Sequence, residues 1–225
     1  MSDQNNRDKE MMTDIAEAQS SNEIKVSAII ATRNGSRRIF EALASLLAGN
    51  VVPDEIVVLD QSDDEKTKDK VTQAQGLPGG ERIRYIYSTR PGICAHRNDA
   101  IAAARGEFIA SIDDDVAVAK DWLERMLREW VDNSGRGNVL ITGRILPGPE
   151  VKSDDLITAI VEHPDRHVIS GKPIPLGALV GAQFGAPRAV FDRLKPMPFD
   201  ERLGLGARYS GADDDEFAYR VQLLG

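Results

Sequence analysis

The chain has 225 residues, of which 41% are hydrophobic and 28% are charged, and its formal net charge is −8. This length suits one substantial domain and is short for two. The negative charge argues against non-specific binding to nucleic acid or anionic lipid, because both reward clustered Lys and Arg. The single cysteine, Cys94, excludes an intramolecular disulfide, and no apolar run approaches the length of a membrane span or of a secretory signal. We therefore expect a soluble cytoplasmic protein.

The first half of the sequence alternates between strand and helix patterns. Residues 1–23 are polar and lack apolar periodicity, so we expect a disordered N-terminal segment before a folded domain at 24–225. The predicted strands are 24–31, 56–59, 83–87 and 107–112, and the predicted helices are 36–47, 65–74 and 96–105. Alternation of this kind is typical of the α/β class, with a mostly parallel sheet flanked by helices.

The second half is less regular. A helix is predicted to open at Asp121, and its apolar stripe, which includes Trp122 and Trp130, indicates a core contact. A strand is predicted at 139–145, and a strand or loop at 180–185 leads into a short helix at 187–194. Between them, prolines interrupt the segment 146–176, which keeps one predicted helix at 154–161. Such a segment over a sheet edge is a natural place for variable substrate contacts.

Three consecutive carboxylates, Asp113, Asp114 and Asp115, end the apolar run that begins at Glu107. Along an extended strand, Asp113 and Asp115 would leave on one face and Asp114 on the other. Two carboxylates on one side suit Mg²⁺ or Mn²⁺, whose shell is commonly completed by substrate phosphates. A solvated acidic turn is the alternative. The position after a core strand favours a ligand site, because open α/β sheets bind ligands beyond the carboxyl ends of their strands.

A second acidic run, Asp213 to Glu216, opens a helix near the end of the sequence. Carboxylates in a first helical turn stabilise the helix dipole, which is a complete structural explanation. At the helical repeat, however, Asp213 and Asp214 fall near the apolar stripe, whereas Asp215 turns away. An acid on the buried side of a helix end suggests a chemical role as well.

Taken together, these segments resemble the family-2 glycosyltransferases with the GT-A fold. The matching pieces are SAIIATRN, IVVLDQSDD, RPGICAHRNDAIAAARGEFIASIDDDV, and FDERLGLG followed by GADDDEFAYR. The resemblance implies an inverting enzyme that moves a sugar from a nucleoside-diphosphate donor to an acceptor hydroxyl with Mn²⁺ or Mg²⁺. The acceptor would be a carbohydrate, a lipid-linked molecule or another hydroxyl compound.

By resemblance, Thr32, Arg33 and Asn34 would line the nucleotide pocket, and Asp60 would accept a hydrogen bond from the base. Uracil, thymine and guanine each present a ring N–H that a carboxylate can accept, whereas cytosine and adenine in their usual forms do not. UDP, dTDP and GDP donors therefore remain possible, and CDP and ADP donors are disfavoured.

The resemblance also assigns the acids of the metal motif. Asp113 and Asp114 would contact the nucleotide, and Asp115 would ligate the metal directly together with Asp113. Arg97 would lie near the nucleotide or its diphosphate, and the alternative for Arg97 is a salt bridge to Asp99 or to an acid of the metal motif.

At the acidic helix, Asp213 and Asp214 align with the Glu-Asp pair of the family, and Asp214 takes the place of the catalytic base. Asp213 stands where Glu is usual, so both acids are catalytic candidates. The segment Gly181-Ala182-Gln183-Phe184 matches a glycine-containing loop near the donor sugar and acceptor, with Gln183 where Asn is common.

Family members typically continue past the acidic helix with another strand and often a histidine near the metal, whereas this sequence ends at Gly225. The sequence is therefore a truncated piece, or the missing function is supplied differently. A competing hypothesis is a nucleotide-sugar-binding module without efficient transfer. A sugar-1-phosphate nucleotidyltransferase is disfavoured, because only one glycine, Gly35, directly follows the first strand where a glycine-rich basic loop would bind a triphosphate.

Overall fold

The computed structural model describes residues 25–133, 135, 138–148 and 173–225. Within these ranges it is an α/β fold built on one mixed sheet of six strands. The segment 1–23, predicted to be disordered, and the helix predicted at 154–161 lie outside the described residues.

The sheet is parallel over four strands and antiparallel at one edge. Its strands are β1 (Val26–Thr32), β2 (Glu55–Asp60), β3 (Ile83–Tyr87), β4 (Phe108–Ile112), β5 (Ile141–Thr142) and β6 (Gln183–Pro187). In space the order is β3-β2-β1-β4-β6-β5. The first four strands run parallel to one another, while β6 is antiparallel to both β4 and β5. The chain order therefore reverses between β1 and β4, and this is the topological switch point at which open α/β sheets bind ligands.

Helices cover both faces of the sheet. They are α1 (Ile39–Leu47), α2 (Lys66–Gln75), α3 (Ile93–Ala103), α4 (Trp122–Asn133), α5 (Arg188–Arg193) and α6 (Asp213–Leu223), with a short 3₁₀ turn at Gly80–Arg82. Alternation along β1 sends Ile30 into the core under α1 and α2, and sends Ile29 into the core shared with α3, α5 and α6. The stripe of α4 packs against Phe108 and Ala110 of β4, as predicted for a core helix.

Several element boundaries differ from the sequence prediction. Helix α1 begins at Ile39, because Arg38 and Ile39 both donate to the Gly35 carbonyl in a turn that precedes the helix. Helix α3 begins at Ile93, before the predicted start at His96. Strand β5 has two residues where seven were predicted, and these two pair with Gly185 and Phe184 of β6.

Candidate active site

The tips of the parallel strands bring three polar segments to one edge of the sheet. Thr32, the last residue of β1, lies directly opposite Asp60, the last residue of β2. Strand β4 lies on the other side of β1, and Asp113 and Asp114 follow its last residue. The prediction that Thr32, Asp60 and the acid triplet share one edge is therefore confirmed.

The first contact at the switch point joins Asp114 to β1. The Thr32 hydroxyl donates a short hydrogen bond to Asp114 Oδ2. Gly35 leaves the space for this contact, since a Cβ at that position would overlap both the carboxylate and the hydroxyl. Burial raises the pKa of Asp114, and the bond from Thr32 partly offsets the increase.

Asp60 is fully buried at the tip of β2, and its carboxylate already accepts three hydrogen bonds. Ser62 donates to Oδ1 through its backbone N–H at 2.8 Å and its hydroxyl at 2.5 Å, and the Tyr85 hydroxyl donates to Oδ2 at 2.9 Å. A carboxylate offers about four acceptor positions, so one position stays free. Another molecule reaches that position only if the side chains covering Asp60 move.

The rim beside Asp60 is formed by the turn after β1. Asn34 adopts a left-handed backbone conformation with φ of 58°, and its N–H donates to the Ser62 hydroxyl at 2.7 Å. The side chain of Arg33 is 56% exposed and pairs with Asp63 at 3.4 Å. Arg33 and Asn34 therefore lie at the surface, beside the residues that directly follow Asp60.

A second group of acids surrounds Arg97, whose side chain is only 6% exposed. Arg97 Nη1 donates to Asp213 Oδ2 at 2.8 Å and to Asp214 Oδ1 at 3.1 Å. Arg97 Nη2 lies 3.4 Å from Asp113 Oδ1 and 3.3 Å from the Gly181 carbonyl oxygen. The structure thus shows the salt bridge to an acid of the metal motif that was the alternative for Arg97. The other alternative, Asp99, pairs with Arg90 instead.

The start of α6 has the arrangement predicted from helical spacing. Asp213 and Asp214 face Arg97, whereas Asp215 turns away and accepts from the Gly177 N–H at 2.7 Å. The Gly181 N–H donates to Asp214 Oδ2 at 3.0 Å, and a Cβ at Gly181 would overlap that carboxylate. The close approach of the loop to Asp214 therefore requires glycine at position 181.

Burial raises the pKa of two of the acids around Arg97, Asp113 and Asp214. It raises the pKa of Asp113 to about 6, although the charge of Arg97 opposes the increase. Burial also raises the pKa of Asp214, again opposed by Arg97 and increased further by Asp213. Groups with a pKa moved toward neutrality are suited to proton transfer.

The sequence analysis used strand alternation to predict the directions of the three acids, and this alternation does not extend to them. Strand β4 ends at Ile112, and Asp113, Asp114 and Asp115 lie in a turn closed by a bond from the Val116 N–H to the Asp113 carbonyl. Asp113 contacts Arg97, Asp114 contacts Thr32, and Asp115 is exposed to solvent.

These acids fit a divalent cation that shares its shell with a ligand. Within the described ranges, no three His, Cys, Asp or Glu side chains converge as a self-sufficient metal site. Mg²⁺ and similar hard cations are commonly held by one or two carboxylates while phosphate oxygens complete the shell. Asp115 is exposed and Asp113 is partly exposed, and their carboxylate oxygens are of the kind that such a cation takes.

Sequence inspection missed three residues that shape this site, namely Ser62, Tyr85 and Phe199. Ser62 and Tyr85 donate the hydrogen bonds that occupy most acceptor positions of the Asp60 carboxylate. The centroid of the Phe199 ring lies 5.5 Å from the Arg97 guanidinium carbon. Strand β3 pairs with β2 so that Tyr85 lies opposite Val58, two residues before Asp60 and therefore on the same face of the sheet as Asp60.

Comparison with known proteins gives a family match over most of the chain. Residues 27–171 match the model of glycosyl transferase family 2. The succinoglycan biosynthesis protein ExoO of Rhizobium meliloti (strain 1021) is 36% identical over 113 residues, which cover 49% of this chain and 30% of ExoO. EpsH of Bacillus subtilis (strain 168), which carries a provisional glycosyltransferase name, is 33% identical over 103 residues, covering 46% of this chain and 29% of EpsH. The matched region thus spans about a third of these relatives.

Solved structures share the fold over most of the described chain. The mannosyltransferase PcManGT from Pyrobaculum calidifontis, solved with GDP-Man and Mn²⁺, has a TM-score of 0.64 at 19% identity, covering 90% of this chain and 53% of PcManGT. Residues 1–349 of TarS of S. aureus, solved with UDP, have a TM-score of 0.62 at 21% identity, covering 89% of this chain and 55% of that fragment. Both similarities agree with the α/β fold of GT-A type that the sequence predicts. Among the described residues, no helix has the length and apolar character needed to cross a bilayer.

Proposed function

The chain belongs to glycosyl transferase family 2, and from that premise we propose that it transfers a sugar from a nucleoside-diphosphate donor to an acceptor hydroxyl. The transfer inverts the anomeric centre and uses a divalent cation. The observation that carries this proposal is the convergence of two acidic segments. Asp113, at the end of β4, and Asp213 and Asp214, at the start of α6, contact the same guanidinium group.

The nucleotide binds at the tips of β1 and β2. Asp60 retains one acceptor position after its three internal hydrogen bonds, which suits one ring N–H of uracil, thymine or guanine. Thr32, Arg33 and Asn34 line the rest of this pocket, with Arg33 exposed at its rim. Donors with UDP, dTDP or GDP therefore remain favoured over CDP and ADP donors.

The diphosphate binds beside the turn that follows β4. Asp115 and Asp113 would hold Mn²⁺ or Mg²⁺ there, while Asp114 stays bonded to Thr32. PcManGT, which shares the fold, was solved with Mn²⁺ and a nucleotide sugar, which supports a divalent cation in this chain. When bound, the cation offsets the negative charge that develops on the departing nucleoside diphosphate.

Asp214 acts as the base that removes the proton from the acceptor hydroxyl. Its side chain is 33% exposed, compared with 15% for Asp213, so Asp214 is the more accessible of the pair. Asp213 makes the shorter contact with Arg97, at 2.8 Å against 3.1 Å, which suits it to holding the guanidinium. The acceptor oxygen attacks the anomeric carbon from the face opposite the nucleotide, and a single displacement inverts that centre.

The experiment is a paired measurement of binding and transfer on the wild type, Asp115→Ala and Asp214→Asn. We expect Asp115→Ala to lose cation-dependent binding of the donor. We expect Asp214→Asn to keep that binding and to lose about 10²–10⁴-fold in kcat, the range typical of a general base. Glu129→Gln, on α4, is a charge-matched control for both variants.

Two outcomes would contradict the proposal. Tight donor binding by the wild type with neither transfer nor donor hydrolysis would favour a nucleotide-sugar-binding module. Full turnover by Asp214→Asn would show that the base is Asp213 or another group.

A further inference from the structure

Resting on the proposed function, we propose that Arg97 is a positioning residue of the transfer reaction. It sets the orientation of the base, Asp214, relative to the cation-binding acid Asp113. The two ends of its guanidinium group contact the two acids, with Nη1 at 3.1 Å from Asp214 Oδ1 and Nη2 at 3.4 Å from Asp113 Oδ1. This role differs from the direct contact with nucleotide or diphosphate that the family resemblance implies.

The guanidinium group is suited to this task because it is planar and its donors have fixed directions. Besides the two acids, it contacts Asp213 through Nη1 and the Gly181 carbonyl through Nη2. Its partners belong to three separate parts of the fold: the turn after β4, the loop before β6 and the first turn of α6. One rigid group therefore fixes the relative placement of all three.

Asp214 is held from both sides in a closed ring of hydrogen bonds. Arg97 donates to one carboxylate oxygen, the Gly181 N–H donates to the other, and Arg97 also donates to the Gly181 carbonyl. Loss of Arg97 removes two of these three bonds. Asp214 then loses its hydrogen bond from Arg97, and the Gly181 backbone, which bonds Asp214, loses its contact with Arg97.

Arg97 is itself fixed by aromatic packing beneath it. The guanidinium carbon lies 5.5 Å from the centroid of the Phe199 ring, within the range of a cation–π contact. Phe199 stacks on Phe217 with centroids 4.3 Å apart, and the Asn98 side chain bonds both the N–H and the carbonyl of Phe199 at 2.9 Å. A catalytic group is held accurately when its supporting side chains are locked in this way.

The burial of Arg97 indicates that this residue affects the reaction by orienting the acids and not by contacting the substrate. Only 6% of its side chain is exposed, and both terminal nitrogens already contact groups of the protein. Its positive charge also offsets three carboxylates that would otherwise repel one another. The expected signature is therefore a change in the chemical step without a matching change in donor binding.

The test compares Arg97→Lys with the wild type in steady-state kinetics and in calorimetric titration with UDP and Mn²⁺. Lysine keeps the charge but cannot span the same partners, so kcat should fall on the order of 100-fold from a misplaced base. The donor KM and the affinity for UDP should change by less than about threefold, since lysine keeps a positive charge beside Asp113 and Asp115 would still hold the cation. The matched control is Arg188→Lys, because Arg188 is half-buried and its guanidinium donates to the Ala104 and Gly106 carbonyls, away from the acids.

An affinity for UDP that falls as much as kcat would place Arg97 on the diphosphate and overturn the proposal, as would an unchanged kcat. A double-mutant cycle adds a readout that needs no turnover, using the unfolding free energies of Arg97→Gln, Asp214→Asn and the combined variant. We expect clear non-additivity, because contacting residues couple; additive effects would contradict the contact. A wild type without any transfer would refute the proposed function, and the cycle would still test Arg97.

Discussion

The acids of the site form two sets that differ in what binds them. The hydroxyl-bonded acids are Asp60 and Asp114, whose side-chain donors are the hydroxyls of Ser62, Tyr85 and Thr32. The guanidinium-bonded acids are Asp113, Asp213 and Asp214, which share Arg97.

The difference has a physical consequence. Hydroxyl donors satisfy a carboxylate and leave its charge intact, which suits recognition of a ring N–H by Asp60. A shared guanidinium compensates charge where three carboxylates meet, and it also fixes their relative directions. One set is therefore suited to binding and the other to holding reactive groups in place.

Among variants that leave the three acids and Arg97 in place, Gly181→Ala should have the largest effect on the guanidinium-bonded set. The added Cβ overlaps the Asp214 carboxylate and must displace it. A shift of about 1 Å in a catalytic group can cost on the order of 100-fold in rate, and we expect a fall in kcat of that size. The measurement is kcat with saturating donor.

Gly135→Ala is the matched control for that variant, since a Cβ there meets no atom within 4 Å. The control should keep the wild-type kcat. Equal kcat values for Gly181→Ala and the wild type would show that the contact between Gly181 and Asp214 does not constrain the base.

The hydroxyl-bonded set is probed by Asp60→Asn, with UDP and CDP compared by calorimetric titration. An amide can donate to the ring nitrogen of cytosine, whereas a carboxylate can only accept. We expect UDP to bind about tenfold more weakly, corresponding to the loss of one hydrogen bond of about 1.4 kcal/mol, and the difference between UDP and CDP to narrow. Asp69→Asn, on the exposed side of α2, is the control. An unchanged preference between UDP and CDP would show that Asp60 does not recognise the base.

A smaller effect is expected from Thr32→Val, which keeps the side-chain shape and removes the hydroxyl. The Asp114 carboxylate then loses its donor at a site where burial already raises its pKa. The free energy of unfolding should fall by about 1 kcal/mol, measured by denaturant titration. Thr72→Val removes an exposed hydroxyl on α2 and should have a smaller effect; equal losses in the two variants would show that Thr32 does not support Asp114.

The smallest effect concerns His96, the neighbour of Arg97 on α3. Its ring is buried, and burial lowers its pKa below the ordinary 6.5. The unfolded chain therefore binds the proton more readily, so the contribution of neutral His96 to stability is complete above pH 6.5 and is lost as the pH falls below it. The melting temperature of the wild type relative to His96→Gln should decline between pH 6.5 and 5. A pH-independent difference would contradict this assignment.

The positions of the hydroxyl-bonded acids could largely be predicted from the sequence. Apolar runs identify β1, β2 and β4, and parallel strands deliver Thr32, Asp60 and Asp114 to one edge whatever the details of packing. The bond between Thr32 and Asp114 was not predicted, because strand alternation applies only up to Ile112 and a turn directs the acids that follow.

The guanidinium-bonded set was accessible only in part. Helical spacing separated Asp213 and Asp214 from Asp215, since those directions are local to one helix. Arg97 lies 116 and 117 positions before its two partners on α6. Their contact depends on how α3 and α6 pack together, and no local pattern in the sequence encodes that arrangement.

The central claim is that the strand tips bind a nucleoside diphosphate through a divalent cation held by Asp113 and Asp115. The most direct measurement is calorimetric titration of the wild type with UDP, dTDP and GDP, each with and without Mn²⁺. The account predicts that at least one of the three binds in the presence of Mn²⁺ and that its binding is lost or strongly weakened without the cation. Failure of all three to bind, or binding that is equally tight without Mn²⁺, would contradict the account.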